Sequence, residues 1–436
     1  MSDSKPASAP PGEHPTPGAP TKDLVIVGGG LAGGLIALAM HRARPDWEIA
    51  LIEAGRKIGG NHRWSWFDSD LSDEGRALLA GFRQTEWAEG YEVRFPKYER
   101  RLGTAYRSMA SEDFHEALMG ALPQGSVMLS RKATALDAHG VDLAPAGNGA
   151  DGLPERISAR RVIDARSFRP SPHLSGGWQV FLGRHLKLPG PHGQDRPVIM
   201  DATVDQLAPH GNGGAYRFVY VLPLGERDVF IEDTYYADDP ALDRAALSGR
   251  IEQYARAHGW QDGEPVHHEA GVLPVLTGGD FSRYQDEIRI PGVAVVGARG
   301  GFTHPLTSYT MCVAVENALY AARHADLSGR ELAQVFERRA STHWRRTAYY
   351  RLLARFLFFA AEADKRVRVF QRFYTLREGL IERFYAARSH PLDQLRVLWG
   401  EPPVSIVSAL RAMFRRGPPL KARGGPEPQT EFPTEN

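Results

Sequence analysis

The sequence of 436 residues is poor in three features that would narrow its function at once: cysteine, long apolar runs and an excess of charge of one sign. Cys312 is its only cysteine, so the chain cannot form an internal disulfide or a cysteine-based metal cluster, and a reducing cytosol fits. A membrane-spanning helix needs a run of about 18 apolar residues, and no apolar run of the sequence is that long. The formal net charge of +1 gives no bulk case for nucleic-acid binding, and we predict no nucleic-acid partner.

The two ends of the chain lack the composition of folded segments. Residues 1–22, MSDSKPASAPPGEHPTPGAPTK, are rich in Pro, Ala and Ser and have no apolar core, so they do not have the form of a secretory signal. Residues 417–436 are similarly rich in Pro and Gly. We predict a disordered leader over 1–22 and a disordered tail over 417–436.

A nucleotide-binding pattern is present at residues 23–53: an apolar strand, the turn Gly28-x-Gly30-x-x-Gly33, a helix over 31–44, and a second strand that ends on Glu53. Gly28 permits a tight turn, Gly30 lets the backbone approach a pyrophosphate, and Gly33 lets the helix pack on the strand. The helix N-terminus favours the anion, and Glu53 can accept hydrogen bonds from a ribose. The alternative is a glycine-rich turn with no ligand, but strand, helix and acid in register predict dinucleotide binding.

Two further glycine groups favour FAD over NAD. A glycine pair follows soon after Glu53, which is common where FAD occupies this fold, and a second glycine turn at 297–301 follows another strand. In flavoproteins of this superfamily the second turn closes on the pyrophosphate and the isoalloxazine. Ala298 stands where many relatives have the Asp that binds the ribityl chain, so the turn departs from the common pattern there. The predicted FAD contacts in these two groups are Gly59, Gly60, Gly297, Gly300 and Gly301.

The rest of the chain predicts an α/β fold in which a Rossmann-like FAD-binding domain, of the glutathione-reductase-like flavoprotein superfamily, is interrupted by a substrate-binding sheet. Residues 159–167 form a strand after a hairpin at 147–152, and apolar segments between 177 and 276 have the pattern of one mostly antiparallel sheet. From about 331 to 413 the pattern is helical. The predicted parts are 23–170 (FAD-binding, first part), 171–290 (substrate sheet), 291–330 (FAD-binding, return) and 331–416 (helical, membrane-facing).

Several stretches together are far more specific than the glycine turns. They are DLVIVGGGLAGGLIAL, GGNHRWSW, VIDAR, PVIMDATVDQ, YRFVYVLPL, FIEDTYY, EAGVLPV, GFTHPLTSYT and FQRFYTLREGLIERFYA. From about 23 to 413 the chain resembles the bacterial lycopene β-cyclases of carotenoid synthesis. The resemblance implies an isomerase (intramolecular lyase) that closes β-ionone rings on lycopene, giving γ-carotene and then β-carotene. It also implies reduced FAD, NAD(P)H as the reductant, and no net redox change.

That chemistry needs a carboxylic acid that stays protonated near pH 7 in an apolar pocket. Protonation of C2 at a ψ-end of lycopene places a cation at C1, the C5–C6 double bond attacks it, and loss of the C6 proton leaves the β-ring. Glu232 and Asp233 end a strong strand, where neighbours point to opposite faces, so at most one faces the substrate in regular geometry. The resemblance assigns the acid to Glu232, whose pKa an apolar surround would raise.

The predicted catalytic set is therefore Glu232, Asp233 and Glu269. Asp233 is expected to cap the following turn or to lie near the flavin, and Glu269 to line the pocket or orient Glu232. The alternative to a catalytic role is, for each of these carboxylates, that of a solvated acid at the end or edge of a strand. Reduced flavin has two open roles, since it can stabilise the cation electrostatically or carry the acid–base proton.

Other candidates have plainer interpretations. His267 and His268 are neighbours on a strand and diverge, and no third ligand is evident, so we predict no metal. His304 lies beside the second glycine turn, where it can contact flavin. Trp64, Trp66 and Tyr309 offer π-faces to a cation or simply fill the core. Asp164 and Arg166 are expected to be structural.

The C-terminal helices have two interpretations. Residues 345–388 contain eleven Arg or Lys and four acids, interleaved with aromatic residues. They form either solvated arginine faces over an aromatic core or a surface that docks on an anionic membrane, where lycopene is dissolved. We predict a cytoplasmic protein bound peripherally to the inner face of the cell membrane, with lycopene and other acyclic carotenoids as substrates.

Two alternatives from other functional classes remain. A flavin-dependent monooxygenase or reductase acting on an isoprenoid or polyene would share the fold but consume NAD(P)H in step with product. A prenyl-carrier protein related to the GDP-dissociation inhibitors would not need an intact flavin pattern. Gly28, Gly30, Gly33 and Glu53 are all present, which disfavours the carrier.

Overall fold

The computed structural model describes residues 21–145, 155–206, 216–360, 366–399, 406–415 and 417–420. The hairpin predicted at 147–152 and almost all of the predicted leader and tail lie outside these residues. The strands are β1 (Leu24–Val27), β2 (Ile49–Ile52), β3 (Arg63–Phe67), β4 (Thr85–Trp87), β5 (Tyr91–Phe95), β6 (Tyr98–Leu102), β7 (Tyr106–Ala110), β8 (Val127–Met128), β9 (Ala133–Asp137), β10 (Gly140–Leu143), β11 (Glu155–Ser158), β12 (Val162–Asp164), β13 (Leu174–Lys187), β14 (Val198–Asp201), β15 (Tyr216–Pro223), β16 (Asp228–Ala237), β17 (Glu264–Gly279) and β18 (Val293–Val295).

The helices α1 and α6 each follow one of the two glycine turns, and other helices pack on the sheets described below. They are α1 (Leu31–Ala43), α2 (Asp73–Leu79), α3 (Ser111–Ala121), α4 (Arg244–Ala257), α5 (Phe281–Ile288), α6 (Met311–Arg323), α7 (Gly329–Arg346), α8 (Ala348–Arg355), α9 (Arg366–Phe373), α10 (Glu378–Tyr385), α11 (Pro391–Leu398) and α12 (Ile406–Phe414). A π-helical turn over Phe356–Ala360 continues α8.

A parallel sheet of the order β18-β12-β1-β2-β8 forms the nucleotide-binding part. Every pairing in it is parallel, and its central strand β1 is buried along its whole length. The first ten residues of α1 are all buried, as expected for a helix that is apolar on every side and packs between this sheet and α6. The predicted β-α-β unit and the later return of the chain at β18 and α6 are confirmed.

The second sheet has seven strands in the order β17-β13-β16-β15-β14-β5-β6. All of its pairings are antiparallel except that between β14 and β5. The strands predicted between 177 and 276 are therefore in one sheet. The sequence prediction had left β5 and β6 within the first nucleotide segment, but they extend this sheet, because β5 pairs with β14 across a long separation in the chain.

The helices α8 to α11 lie over one face of the seven-stranded sheet, whereas α7 packs against β18 of the parallel sheet. Tyr350, Phe358, Tyr374, Phe384 and Tyr385 are all buried and pack with aromatic side chains of the sheet. The aromatic residues of 345–388 thus form a core. Among the described residues, the exposed large apolar side chains of the C-terminal part lie further along, in α11, α12 and the residue that follows α11.

The ordered chain continues slightly beyond the predicted end. Pro419 pairs with Ser175 of β13, and the Leu420 amide donates to the Leu174 carbonyl at 2.9 Å. Leu420 is buried. The sequence prediction had placed the start of the tail at 417, since composition does not show that a short Pro-rich segment can pair with a strand edge. Within the described ranges, no helix has both the length and the apolar character to cross a membrane.

Candidate active site

The first glycine turn forms a cradle in which Gly28 and Gly33 have no room for a side chain. Gly28 has a φ of +106°, and a Cβ there would lie 2.6 Å from the Ala165 carbonyl oxygen. A Cβ on Gly33 would lie 2.0 Å from the Gly28 carbonyl oxygen. A Cβ on Gly30 would meet nothing within 4 Å, so the N-terminus of α1 opens onto free space. Gly28 and Gly33 thus allow the tight turn and the close packing of helix on strand, and Gly30 leaves the backbone open to the approach of a pyrophosphate.

Glu53 is fixed at the edge of this cradle. One carboxylate oxygen accepts a hydrogen bond from the Gly29 amide and the other from the Gly55 amide, both at 2.7 Å. The Gly59 amide donates to the Gly29 carbonyl at 2.8 Å, which holds the glycine pair against the first turn. A carboxylate has about four lone-pair sites, so Glu53 can still accept from a ribose.

The second glycine turn lies beside the first. A Cβ on Gly297 would be 3.1 Å from the Cβ of Ala32, in the first turn of α1, and Gly297 and Gly301 both have positive φ. The two turns therefore approach each other at the N-terminus of α1. The residues present fit a dinucleotide bound between them.

Two carboxyl groups meet above a glycine in the seven-stranded sheet. Gly183 of β13 lies opposite Glu232 on one neighbouring strand, β16, and opposite Glu269 on the other, β17. The two carboxyl groups lie within reach of each other, and this contact lowers the pKa of Glu232 and raises that of Glu269. A Cβ on Gly183 would lie 3.0 Å from the Glu269 Cγ, so the glycine leaves the space in which the two carboxyl groups meet. We call Glu232 and Glu269 the carboxyl pair.

The carboxyl pair holds a proton near neutral pH. Burial raises the pKa of Glu232 to about 7, opposed by the Thr234 hydroxyl, which donates to Glu232 at 2.6 Å. Burial, and next the charge of Glu232, raise the pKa of Glu269 well above its usual value. The Arg63 guanidinium and its backbone amide oppose that rise. Two close buried carboxyl groups cannot both ionise at low cost, so they share a proton.

Asp233 lies on the other face of β16. It is fully buried, and one of its oxygens accepts hydrogen bonds from Arg217, at 2.8 Å from Nε and 2.5 Å from Nη2. A second guanidinium, of Arg250, is 3.8 Å away. The structure thus places Asp233 in an ion pair, apart from the carboxyl pair, and not as the cap of a turn. Its charge still adds to the rise in the pKa of Glu232.

Three tyrosine hydroxyls meet near Glu232. The Tyr309 hydroxyl is 3.0 Å from that of Tyr106 and 3.2 Å from that of Tyr220. Tyr220 lies directly opposite Glu232 in the pairing of β15 with β16. Burial raises the pKa of all three phenols, so they remain neutral. The sequence had suggested Tyr309, and the fold adds the other two.

An apolar cavity adjoins this part of the sheet. It encloses about 1270 Å³ of space, part of it open to solvent, between the sheet and α8–α11. Tyr220 and Tyr236 line it, and they lie on the same sheet face as Glu232. Arg372 is the one charged residue among the described residues of its wall. The cavity therefore offers an apolar space on the sheet face that carries Glu232, and neither member of the carboxyl pair is among the described residues that line it.

The remaining candidates have local partners. His267 is 3.8 Å from Glu112, and within the described chain no group of His, Cys, Asp and Glu is arranged to hold a metal. His304 is buried, with its Nε2 at 3.1 Å from the Phe384 carbonyl. Trp64 packs edge-on against Phe114, and Trp66 is buried in β3. Arg166 donates two hydrogen bonds to Asp164, the structural role expected of them.

Gly183, Arg63 and Tyr106 are among the contributors that the sequence did not reveal. For Gly183 a signal existed, because a glycine inside the apolar strand VFLGRHL marks a close approach of other groups. For Arg63 and Tyr106 no local pattern points to the site, since they come from the separate strands β3 and β7, which pair with each other beside it.

Comparisons with known proteins show the family to which the chain belongs. The family model described as "Lycopene cyclase protein" matches residues 23–411. The lycopene beta-cyclase of Pseudescherichia vulneris is 40% identical over 403 residues, which cover 92% of this chain and 100% of that protein.

Two solved structures share the fold at low identity. A geranylgeranyl bacteriochlorophyll reductase-like protein from Thermoplasma acidophilum has a TM-score of 0.53 at 15% identity, covering 91% of this chain and 96% of that one. A single-residue variant of Klebsiella pneumoniae HpxO, complexed with FAD, has a TM-score of 0.51 at 14% identity, covering 86% and 97%. The likeness to these structures shows the fold, and the two sequence matches show the family: this chain belongs to the lycopene cyclase family.

Proposed function

We propose that this protein is a lycopene β-cyclase that converts the ψ-ends of lycopene to β-ionone rings, giving γ-carotene and then β-carotene. Family membership supports the reaction. The observation that carries the proposal is the buried carboxyl pair, which shares a proton next to an apolar cavity. Substrate and product have the same atoms, so the enzyme class is an isomerase, an intramolecular lyase.

The chain's own residues account for the acid step. Glu232 gives its proton to C2 of the ψ-end, and the C5–C6 double bond then closes on the cation at C1. The apolar cavity wall excludes water, which would otherwise trap the cation as an alcohol. The tyrosine rings around Glu232 present π-faces that stabilise positive charge. Glu269 keeps the shared proton within the pair. Asp233, held by Arg217 on the other face of β16, adds to the rise in the pKa of Glu232 through its charge.

FAD is the cofactor that this cradle fits. The residues that would hold it are Gly28, Gly30, Gly33, Glu53, Gly59, Gly60, Gly297, Gly300 and Gly301. The complex of HpxO with FAD supports this choice, since the fold is shared. When bound in its reduced form, with NAD(P)H as the reductant, FAD supplies negative charge that stabilises a nearby cation without net electron transfer.

Lycopene dissolves in lipid, so the cavity must be filled from a membrane. Leu392, Trp399 and Phe414 are 73%, 66% and 82% exposed, and they lie in or next to α11 and α12. Leu398 is 45% exposed and also lines the cavity, which joins this surface to the site. We propose that this surface, and not the aromatic core of 345–388, rests on the anionic inner face of the cell membrane.

A liposome experiment tests the surface. A Trp399→Ser, Phe414→Ser variant should lose most co-sedimentation with anionic liposomes at low salt, whereas Met119→Ser, which alters an exposed apolar side chain on α3 outside this surface, should bind like wild type. Equal binding by all three proteins would contradict the membrane surface.

The reaction is tested with lycopene in liposomes, FAD, dithionite as the only reductant, and D₂O as solvent. We expect β-carotene with solvent deuterium at C2, and none from a Glu232→Gln variant that folds normally. Product of changed mass that forms only with NADPH and oxygen, or with NADPH consumed in step, would instead identify the alternative, an oxidoreductase acting on a polyene.

A further inference from the structure

Ring closure needs a base as well as an acid. The proton added at C2 comes from one group, and the proton at C6 must leave to another before the β-ring exists. C2 and C6 are both bonded to C1, so the base must act close to where the acid acts. The acceptor is therefore either the Glu232 carboxylate left by the first step or a second group next to it.

Other buried carboxyl groups of the described chain have partners elsewhere: Glu92 pairs with Arg94, Asp164 with Arg166, Asp201 with Tyr254 and Asp393 with Arg383. Asp233 lies behind β16, bound to Arg217. Asp70 lines a second cavity, on the side of α6 and α7. Glu269, in contrast, lies within reach of Glu232 across Gly183.

Glu269 has the free acceptor that a base requires. Its Oε2 is buried and has no hydrogen-bond partner in the structure, whereas Glu232 accepts from the Thr234 hydroxyl. Burial and the charge of Glu232 hold the pKa of Glu269 well above its usual value, and the guanidinium and backbone amide of Arg63 oppose that rise. Of the carboxylates that raise the pKa of Arg63 against the effect of burial, Glu269 has the largest influence, followed by Asp113 and Glu112.

Charge reinforces this assignment once the acid has acted. With one shared proton the pair carries one negative charge. After Glu232 has given its proton, two carboxylates face each other and the carbocation. Like charges at that distance make the pair a much stronger proton acceptor than either group alone. The strongest local base is thus created by the acid step itself.

We propose that Glu269 is the base that removes the C6 proton, so that the carboxyl pair is both the acid and the base of each ring closure. This inference rests on the proposed cyclase function. The Glu232 O–H bond breaks as the C2–H bond forms, and the C5–C6 π-electrons form the C1–C6 bond. The C6–H electrons then form the new C5=C6 double bond as the proton goes to Glu269 Oε2. That proton passes between the two carboxyl groups to Glu232, which restores the pair without any electron transfer.

The test is a Glu269→Gln variant with lycopene in D₂O under the reducing conditions above. The glutamine amide keeps a hydrogen-bond partner for Glu232 but cannot accept the C6 proton. We expect β-ring formation to fall by about 10²–10⁴-fold, the usual contribution of a general base. The cation should instead revert, washing solvent deuterium into C2 of recovered lycopene, or lose a proton from C4 or the C5 methyl group, giving ε- or γ-rings.

Three outcomes would each overturn a different part of the proposal. Wild type that forms no ring would overturn the proposed function itself. Glu269→Gln that is folded by circular dichroism yet returns unlabelled lycopene would show that Glu269 serves only the protonation step. β-Rings alone from that variant, with an unchanged isotope effect for C6-deuterated lycopene, would show that another group is the base. Glu269→Asp should retain β-ring product with a larger C6 isotope effect.

Discussion

Gly183 offers the sharpest perturbation of the site, because it contributes no side chain. A Cβ there would lie 2.3 Å from Cζ and 2.8 Å from Cε2 of Phe230, and 3.0 Å from Cγ of Glu269. Ordinary carbon contacts are about 3.5–4.0 Å. In a Gly183→Ala variant the Phe230 ring must therefore retreat by roughly 1 Å, and Glu269 by somewhat less.

We expect two separable effects of Gly183→Ala. Overpacking of this kind costs about 1–3 kcal/mol of the free energy of unfolding, measured by denaturant titration. A misplacement of about 1 Å at a catalytic group lowers the rate by on the order of 100-fold, measured as β-ring formation by folded protein.

A glycine on the same domain serves as the matched control. Gly249 lies within α4, and a Cβ there would meet nothing within 4 Å. Gly249→Ala should keep full activity and gain about 0.5–1 kcal/mol of stability. Gly183→Ala with the stability and the rate of wild type would refute the claim that this glycine makes room for the carboxyl pair.

Two other predictions concern the acids. The pKa of Glu232 is raised to about 7, so the protonated fraction of Glu232 falls as pH rises through that value. We therefore expect the ring-closure rate to decline above about pH 7, and a rate that is flat over the next two pH units would contradict a carboxylic acid as donor. Asp233→Asn leaves the buried Arg217 charge unpaired and should cost about 3–5 kcal/mol of stability, while protein that remains folded still forms β-rings. In the double variant Asp233→Leu, Arg217→Met much of that stability should return, and a failure to form rings at full stability would place Asp233 in the chemistry.

The sequence predicted those parts of the fold that have a local cause. The apolar strand, glycine turn and helix at 24–43 follow one another directly, and each glycine has its own steric reason. Alternation along VFIEDTYY likewise separated Glu232 from Asp233, because the period of a strand is two residues. The buried partner of Asp233 was not predictable, since Arg217 comes from the neighbouring strand and its register is set by the whole sheet.

The carboxyl pair shows where local reasoning ends. Glu232 and Glu269 were each named from their own segments, yet nothing in either segment indicates that they meet. Their meeting depends on β13, which lies between β16 and β17 in the sheet and has Gly183 at the shared position. For the C-terminal aromatic residues the sequence left two interpretations open, because composition alone cannot tell an aromatic core from an aromatic surface. The burial of these aromatic side chains in the structure shows that they form a core. The exposed apolar residues lie further along the chain, in and next to α11 and α12.

The central claim is that the carboxyl pair holds a proton in neutral solution. The most direct measurement is the infrared difference spectrum between wild type and Glu232→Gln at pH 7, in H₂O and D₂O. We expect a protonated-carboxyl C=O band in wild type that shifts in D₂O, is altered or lost in the variant, and loses intensity as pH is raised through about 7, where Glu232 ionises. A spectrum with only carboxylate bands at pH 7 would mean that both glutamates are ionised, and the acid that opens the reaction would have to be another group.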